Sequence, residues 1–78
     1  MTDYVPIDCG LYSEYELAIL HHQRLRIYWH EADGQAHVDV LTPLDLRTRS
    51  GAEFLVVKRG DDEPSELRLD RIARTEPV

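Results

Sequence analysis

The sequence predicts a mainly β domain, an N-terminal α-helix followed by a small antiparallel β-barrel of five to six strands. Three observations carry this expectation. Good helix formers gather between residues 11 and 22. From Leu25 the apolar period changes to two. Turn signals at Asp33-Gly34 and Gly60–Pro64 then cut the chain into short runs, and so few strands must roll up to cover their core. With 78 residues the chain holds one domain, 1–78. A domain of that size buries only about 60% of the surface its unfolded chain exposes, which leaves little room for an enclosed active-site cavity.

Residues 1–10 read as an extended arm, because Pro6 biases Val5 away from helix and Gly10 breaks the chain. Ser13-Glu14-Tyr15-Glu16 has the form of a capping box, so the helix is expected over 11–22. Leu11, Tyr15, Ala18 and His22 form one stripe, with Tyr12 and Ile19 beside it; Leu17 and Leu20 fall on the other side. Either stripe can face the core. The second set is then covered by the arm or left as an apolar spot rimmed by Glu14 and Glu16.

The barrel is expected over 24–76. Leu25, Ile27 and Trp29 alternate with polar residues, and Asp33-Gly34 is a two-residue hairpin signal. Pairing outward from that turn sets Trp29 opposite Val38, Ile27 opposite Val40, and His30 opposite His37. Thr42-Pro43 ends the hairpin and caps a short helical turn through Asp45. Arg47 to Gly51 reads as a polar loop. Phe54-Leu55-Val56-Val57 suits a strand buried on both faces. Leu67 and Leu69 mark another strand, and Ile72 opens a last one. The expected core is Ile27, Trp29, Val38, Val40, Phe54, Val56, Leu67 and Leu69. Oligonucleotide-binding and Sm-like barrels both fit this count of elements.

Fifteen Asp and Glu face nine Lys and Arg, a formal net charge of -6. That is the wrong sign for non-specific nucleic-acid binding and suits a basic partner surface. Residues 1–23 hold Asp3, Asp8, Glu14 and Glu16 with no Lys or Arg; eleven acids and nine basic residues follow, so the first part carries -4 and the rest -2. Glu14 and Glu16 are explained if they lie in the first helical turn, where the helix dipole favours acids. Asp3 and Asp8, which precede the helix, are not.

Cys9 is the only cysteine, so no intramolecular disulfide or multi-cysteine zinc site forms, and burial as a small hydrophobe suits it better than nucleophilic chemistry. His21 and His22 point about 100° apart on a helix. His30 and His37 supply two ligands where a zinc site needs four, so no metal or cofactor is expected. No glycine-rich phosphate loop or paired-carboxylate motif is present, and nothing favours an enzyme. The start Met1-Thr2-Asp3-Tyr4-Val5-Pro6 is no signal peptide and no stretch is long and apolar enough for a membrane span; the expected location is the cytoplasm.

The blocks Tyr4-x-Pro6-Ile7-Asp8-Cys9, Tyr15-Glu16-Leu17-Ala18, His21-His22, Asp33-Gly34, Asp45-Leu46, Glu53-Phe54-Leu55-Val56-Val57 and Glu66-Leu67-Arg68-Leu69-Asp70-Arg71-Ile72 run through nearly the whole chain. In this the sequence resembles the Rof family, bacterial inhibitors of the transcription terminator Rho. The resemblance implies a helix on an Sm-like barrel that binds the RNA-binding N-terminal region of the Rho hexamer and blocks RNA loading. Carried onto this chain, it implies contacts through Asp8, Tyr12, Glu14 and Glu16, with Arg47 and Arg49 as a second contact. The family commonly has an acidic or amide residue at the position of Gly10 and around Leu11; Gly10-Leu11 lacks that polarity here, so the acidic surface is expected to be weaker or shifted toward Glu14. The alternative is an Sm-like RNA-binding module, which would need a basic patch from Arg24, Arg26, Arg47, Arg49, Arg68, Arg71 and Arg74.

Overall fold

A computed structural model describes residues 3–78; Met1 and Thr2, where the expected arm begins, lie outside the described residues. From Asp3 the arm is strapped to the far end of the chain. The Val5 N–H donates to Asp70 Oδ2 at 3.1 Å, Asp3 lies 2.9 Å from Arg68, and the Arg68 guanidinium sits over the Tyr4 ring. The helix α1 (Cys9–Leu20) then starts two residues earlier than expected. Asp8 is its N-cap, and the carboxylate accepts from Gly10 N at 3.0 Å and Leu11 N at 3.3 Å. A side chain at Gly10 would put its Cβ 2.9 Å from Asp8 Oδ2, so the glycine leaves room for this cap. The capping box at Ser13 does not form, because by Ser13 the helix is already under way. α1 ends in a Schellman motif: Gln23 N–H donates to Ala18 O and His22 N–H to Ile19 O, with His22 at φ 53°.

Five antiparallel strands follow: β1 (Leu25–His30), β2 (Ala36–Arg49), β3 (Ala52–Lys58), β4 (Ser65–Arg68) and β5 (Ile72–Pro77), with a 3-10 turn at Leu69–Arg71 before β5. Their order is β4-β3-β2-β1-β5, the general Sm-like topology. The barrel expected from the sequence does not close: β4 and β5 remain the two edges of one curled sheet. The curl comes from β2. Its first part pairs with β1 and its second with β3, and the register shifts between Pro43 and Asp45. Pro43, which lacks an N–H, is tolerated in a strand at such a bulge. The expected helical turn at Thr42–Asp45 is therefore a bulged strand, and Arg47–Arg49 are strand rather than loop. The tight turn lies at Ser50-Gly51, both with positive φ (52° and 78°).

The β1–β2 register differs by one residue from the expected one. Glu31 N–H donates to Gln35 O, and Asp33 Oδ1 accepts from Gln35 N, so the connection is longer than a two-residue turn. Tyr28 pairs with Val38 and Trp29 with His37, so Trp29 and Val38 face opposite sides and Val38 is 54% exposed. A one-residue slip inverts faces. Of the expected core, Ile27, Val56, Leu67 and Leu69 are buried, Trp29, Val40 and Phe54 half-buried. The core also takes Tyr15 and Ala18 from α1, and Leu25, Leu41, Leu55 and Val57 from the sheet. His30 pairs with Ala36, and the His37 ring stacks on Trp29 at 5.4 Å, which separates the expected histidine pair.

Candidate partner-binding surface

The inward face of α1 is the Tyr15–Ala18 stripe, with Leu11, Tyr12 and Ile19 half-buried beside it. The outward face carries Cys9, Ser13, Leu17 and Leu20 along its middle, all exposed, with Glu14 on one flank and Glu16 on the other. Leu17 is 55% and Leu20 71% exposed, so the arm does not cover them. Cys9, expected inside, is exposed in the first turn.

The acids divide differently from the sequence reading. Asp8 and Asp3, which lacked a structural reason, have one: Asp8 caps α1 and Asp3 pairs with Arg68. With the helix starting at Cys9, its first turn contains no acid. Glu14 and Glu16 thus lose the helix-dipole explanation. Both are exposed and neither is among the ion pairs of the described residues.

The helix stands as a ridge between two grooves. One, of about 310 Å³, is floored by Tyr15, Ala18 and Leu25 and rimmed by Glu14, Leu17, His21, Thr75 and Pro77. The other, of about 500 Å³, is lined by Tyr12, Glu16, Ile19, Leu20, Asp45 and Leu46. Burial and the nearby carboxylates of Glu53, Glu16 and Asp45 raise the Tyr12 hydroxyl above its ordinary pKa. Burial, Glu53 and Asp70 likewise push Tyr4 up to about 12. Asp45 and Glu53 therefore belong to the acidic surroundings of Tyr12, and sequence reasoning missed both. Asp45 was hidden in a segment read as a helical turn, and Glu53 entered only as the first residue of one of the blocks that carry the family resemblance.

Arg47 and Arg49 lie away from this ridge. Both pair with Glu66 of β4, and Arg49 also lies 4.6 Å over the Phe54 ring. Glu66 is held below the usual carboxylate range, chiefly by Arg49. Arg26 and Arg74 flank Glu76, Arg59 bridges Asp39 and Asp62, and Arg68 makes a two-pronged bond to Asp70. The arginines are thus largely spent on internal acids. Among the described residues no group of three or more His, Cys, Asp or Glu could hold a metal ion, and no helix is long and apolar enough to cross a membrane.

Residues 11–77 match the model of the WYL domain. The chain is also similar to the protein rof of Escherichia coli strain K12 and that of Shigella flexneri. Each is 39% identical over 70 residues, covering 88% of this chain and 76% of the relative. On these matches the chain belongs to the family of the Rof proteins, with its helix and sheet forming a WYL domain.

Proposed function

We propose that this protein is a non-enzymatic, cytoplasmic inhibitor that binds the RNA-binding N-terminal region of the Rho hexamer and keeps RNA from loading, so that Rho-dependent termination fails. The observation that carries this reading is the outward face of α1: Leu17 and Leu20 exposed between Glu14 and Glu16, in a stretch of 23 residues without a Lys or Arg. An apolar centre with a charged rim is the usual anatomy of a protein interface. The opposite charge of a surface built for RNA supplies attraction and steering. Tyr12, set beside Glu16 and Asp45, offers a ring and an acidic collar to an incoming guanidinium or ammonium group. Asp8 contributes mainly by shaping the helix end. Arg47 and Arg49 are a secondary contact that would have to share their charge with Glu66.

The test is transcription through a Rho-dependent terminator with Glu14→Gln, Glu16→Gln and Leu17→Ser combined. Truncating one partner of a desolvated interfacial pair costs roughly 2–5 kcal/mol. The concentration needed for inhibition should rise well beyond tenfold, since tenfold is only about 1.4 kcal/mol. A folded triple variant that inhibits at the wild-type concentration refutes the helix-face reading.

A further inference from the structure

Only one side of β5 is used. Among the described residues its neighbour is β1 alone. Across that pairing the Val78 N–H donates to Arg24 O at 3.2 Å. In an antiparallel strand the N–H and C=O of alternate residues point the same way. Those of Glu76 and Arg74, opposite Arg26 and Tyr28, thus address β1. The N–H and C=O of Thr75 and the C=O of Pro77 point outward. Pro77 has no N–H to leave unmet on that side, which is where a proline is tolerated in a sheet. The side chains of Thr75 and Pro77, opposite Ile27 and Leu25, line the groove floored by Tyr15 and Ala18 of α1.

An unpaired strand edge therefore runs along an apolar groove, and the groove's one carboxylate is Glu14. We propose that this edge and groove receive an extended segment of the protein partner, which adds to the sheet as a sixth strand beside β5. Alternate side chains of an added strand fall on the same face. One apolar side chain would seat between Leu17 and Thr75, and a basic one two residues away would meet Glu14. Backbone pairing supplies affinity and the groove supplies selectivity, as in other strand-addition complexes. A nucleic acid fits poorly, because Glu14 repels phosphate and the groove has no Lys or Arg. The inference rests on the proposed function and extends it, since it places contacts on β5 as well as on the ridge of α1.

Hydrogen exchange of the segment 73–78, read by mass spectrometry for the free protein and for its complex with purified Rho, tests the proposal. The outward Thr75 amide should exchange at least tenfold more slowly in the complex. Thr75→Pro removes the outward donor without touching the pairing to β1, and it should weaken binding tenfold or more. A complex that forms with the exchange of 73–78 unchanged overturns the strand addition and leaves the helix-face reading standing. Absence of any complex with Rho refutes the proposed function and the occupant named here together. Protection of Thr75 in the free protein, with a dimer or larger species in sedimentation, assigns the edge to a second copy and also overturns the proposal. Should Thr75→Pro fail to fold by circular dichroism, the wild-type exchange rates decide alone.

Discussion

At the scale of single residues, one carboxylate holds two of the N–H groups that open α1. Asp8→Ala should destabilise the protein by about 0.5–2 kcal/mol in urea unfolding, while Asp8→Asn, which still accepts through its amide oxygen, should keep most of that stability. Acid should act through Asp70. Its carboxyl is held below the usual range first by Arg68 and then by the Val5 N–H, against the opposing effect of burial. A carboxylate with a depressed folded pKa contributes stability that is complete above its unfolded value, near 3.9, and is lost as pH falls through the lower folded value. Asp70→Asn should therefore unfold more easily at pH 7 and show a shallower further loss below pH 4, followed by circular dichroism. The carboxylates also show what a sequence hides at this scale. The excess charge of residues 1–23 was legible by counting. Which acids were free was not, because Asp8 gained its role from a helix start two residues upstream and Asp3 from Arg68, far along the chain.

At the scale of elements, the apolar periods of β1, β3 and β4 were plain enough in the sequence to place the strands. The pairing was not. Asp33-Gly34 is a turn dipeptide, yet the Asp33 side chain closes on Gln35 and lengthens the connection, which turns Val38 outward and His37 onto Trp29. The long strand β2 was illegible for a related reason: Thr42-Pro43 looks like a stop, and only pairing on both sides shows it to be a bend. The true two-residue turn, Ser50-Gly51, carries a non-glycine residue at φ 52°. The left-handed region costs most L-residues about 1–2 kcal/mol, and asparagine enters it more readily. Ser50→Asn should stabilise the protein by about 0.5–1 kcal/mol in thermal or urea unfolding and leave the proposed inhibition of Rho unchanged. On α1 the opposite separation is expected. Leu20→Ser should leave stability within about 0.5 kcal/mol, as surface changes usually do, but should weaken the proposed binding to Rho in an anisotropy titration.

At the scale of the whole molecule, stability is a small total. Native domains hold roughly 0.05–0.15 kcal/mol per residue, so about 4–12 kcal/mol is expected for this chain. Leu55 is fully buried in the middle of β3. Leu55→Ala should cost about 2–5 kcal/mol and bring much of the population close to unfolding at 37 °C. Charge is organised at this scale too. Among the described residues six arginines are tied to internal acids, so the basic patch that direct RNA binding needs is largely neutralised. The isolated protein should show no micromolar RNA complex in an anisotropy assay at physiological salt. Trp29 adds a practical consequence. It is the only tryptophan, its indole Nε1 is enclosed without a hydrogen-bond partner among the described residues, its ring lies against His37, and it lines neither groove beside α1. Its emission therefore follows the joining of β1 to β2 and is insensitive to a partner on the helix. A thiol-reactive dye on Cys9, the sole cysteine and exposed on the outward face of that helix, does the reverse. Folding and docking are thus readable in two separate colours from one sample.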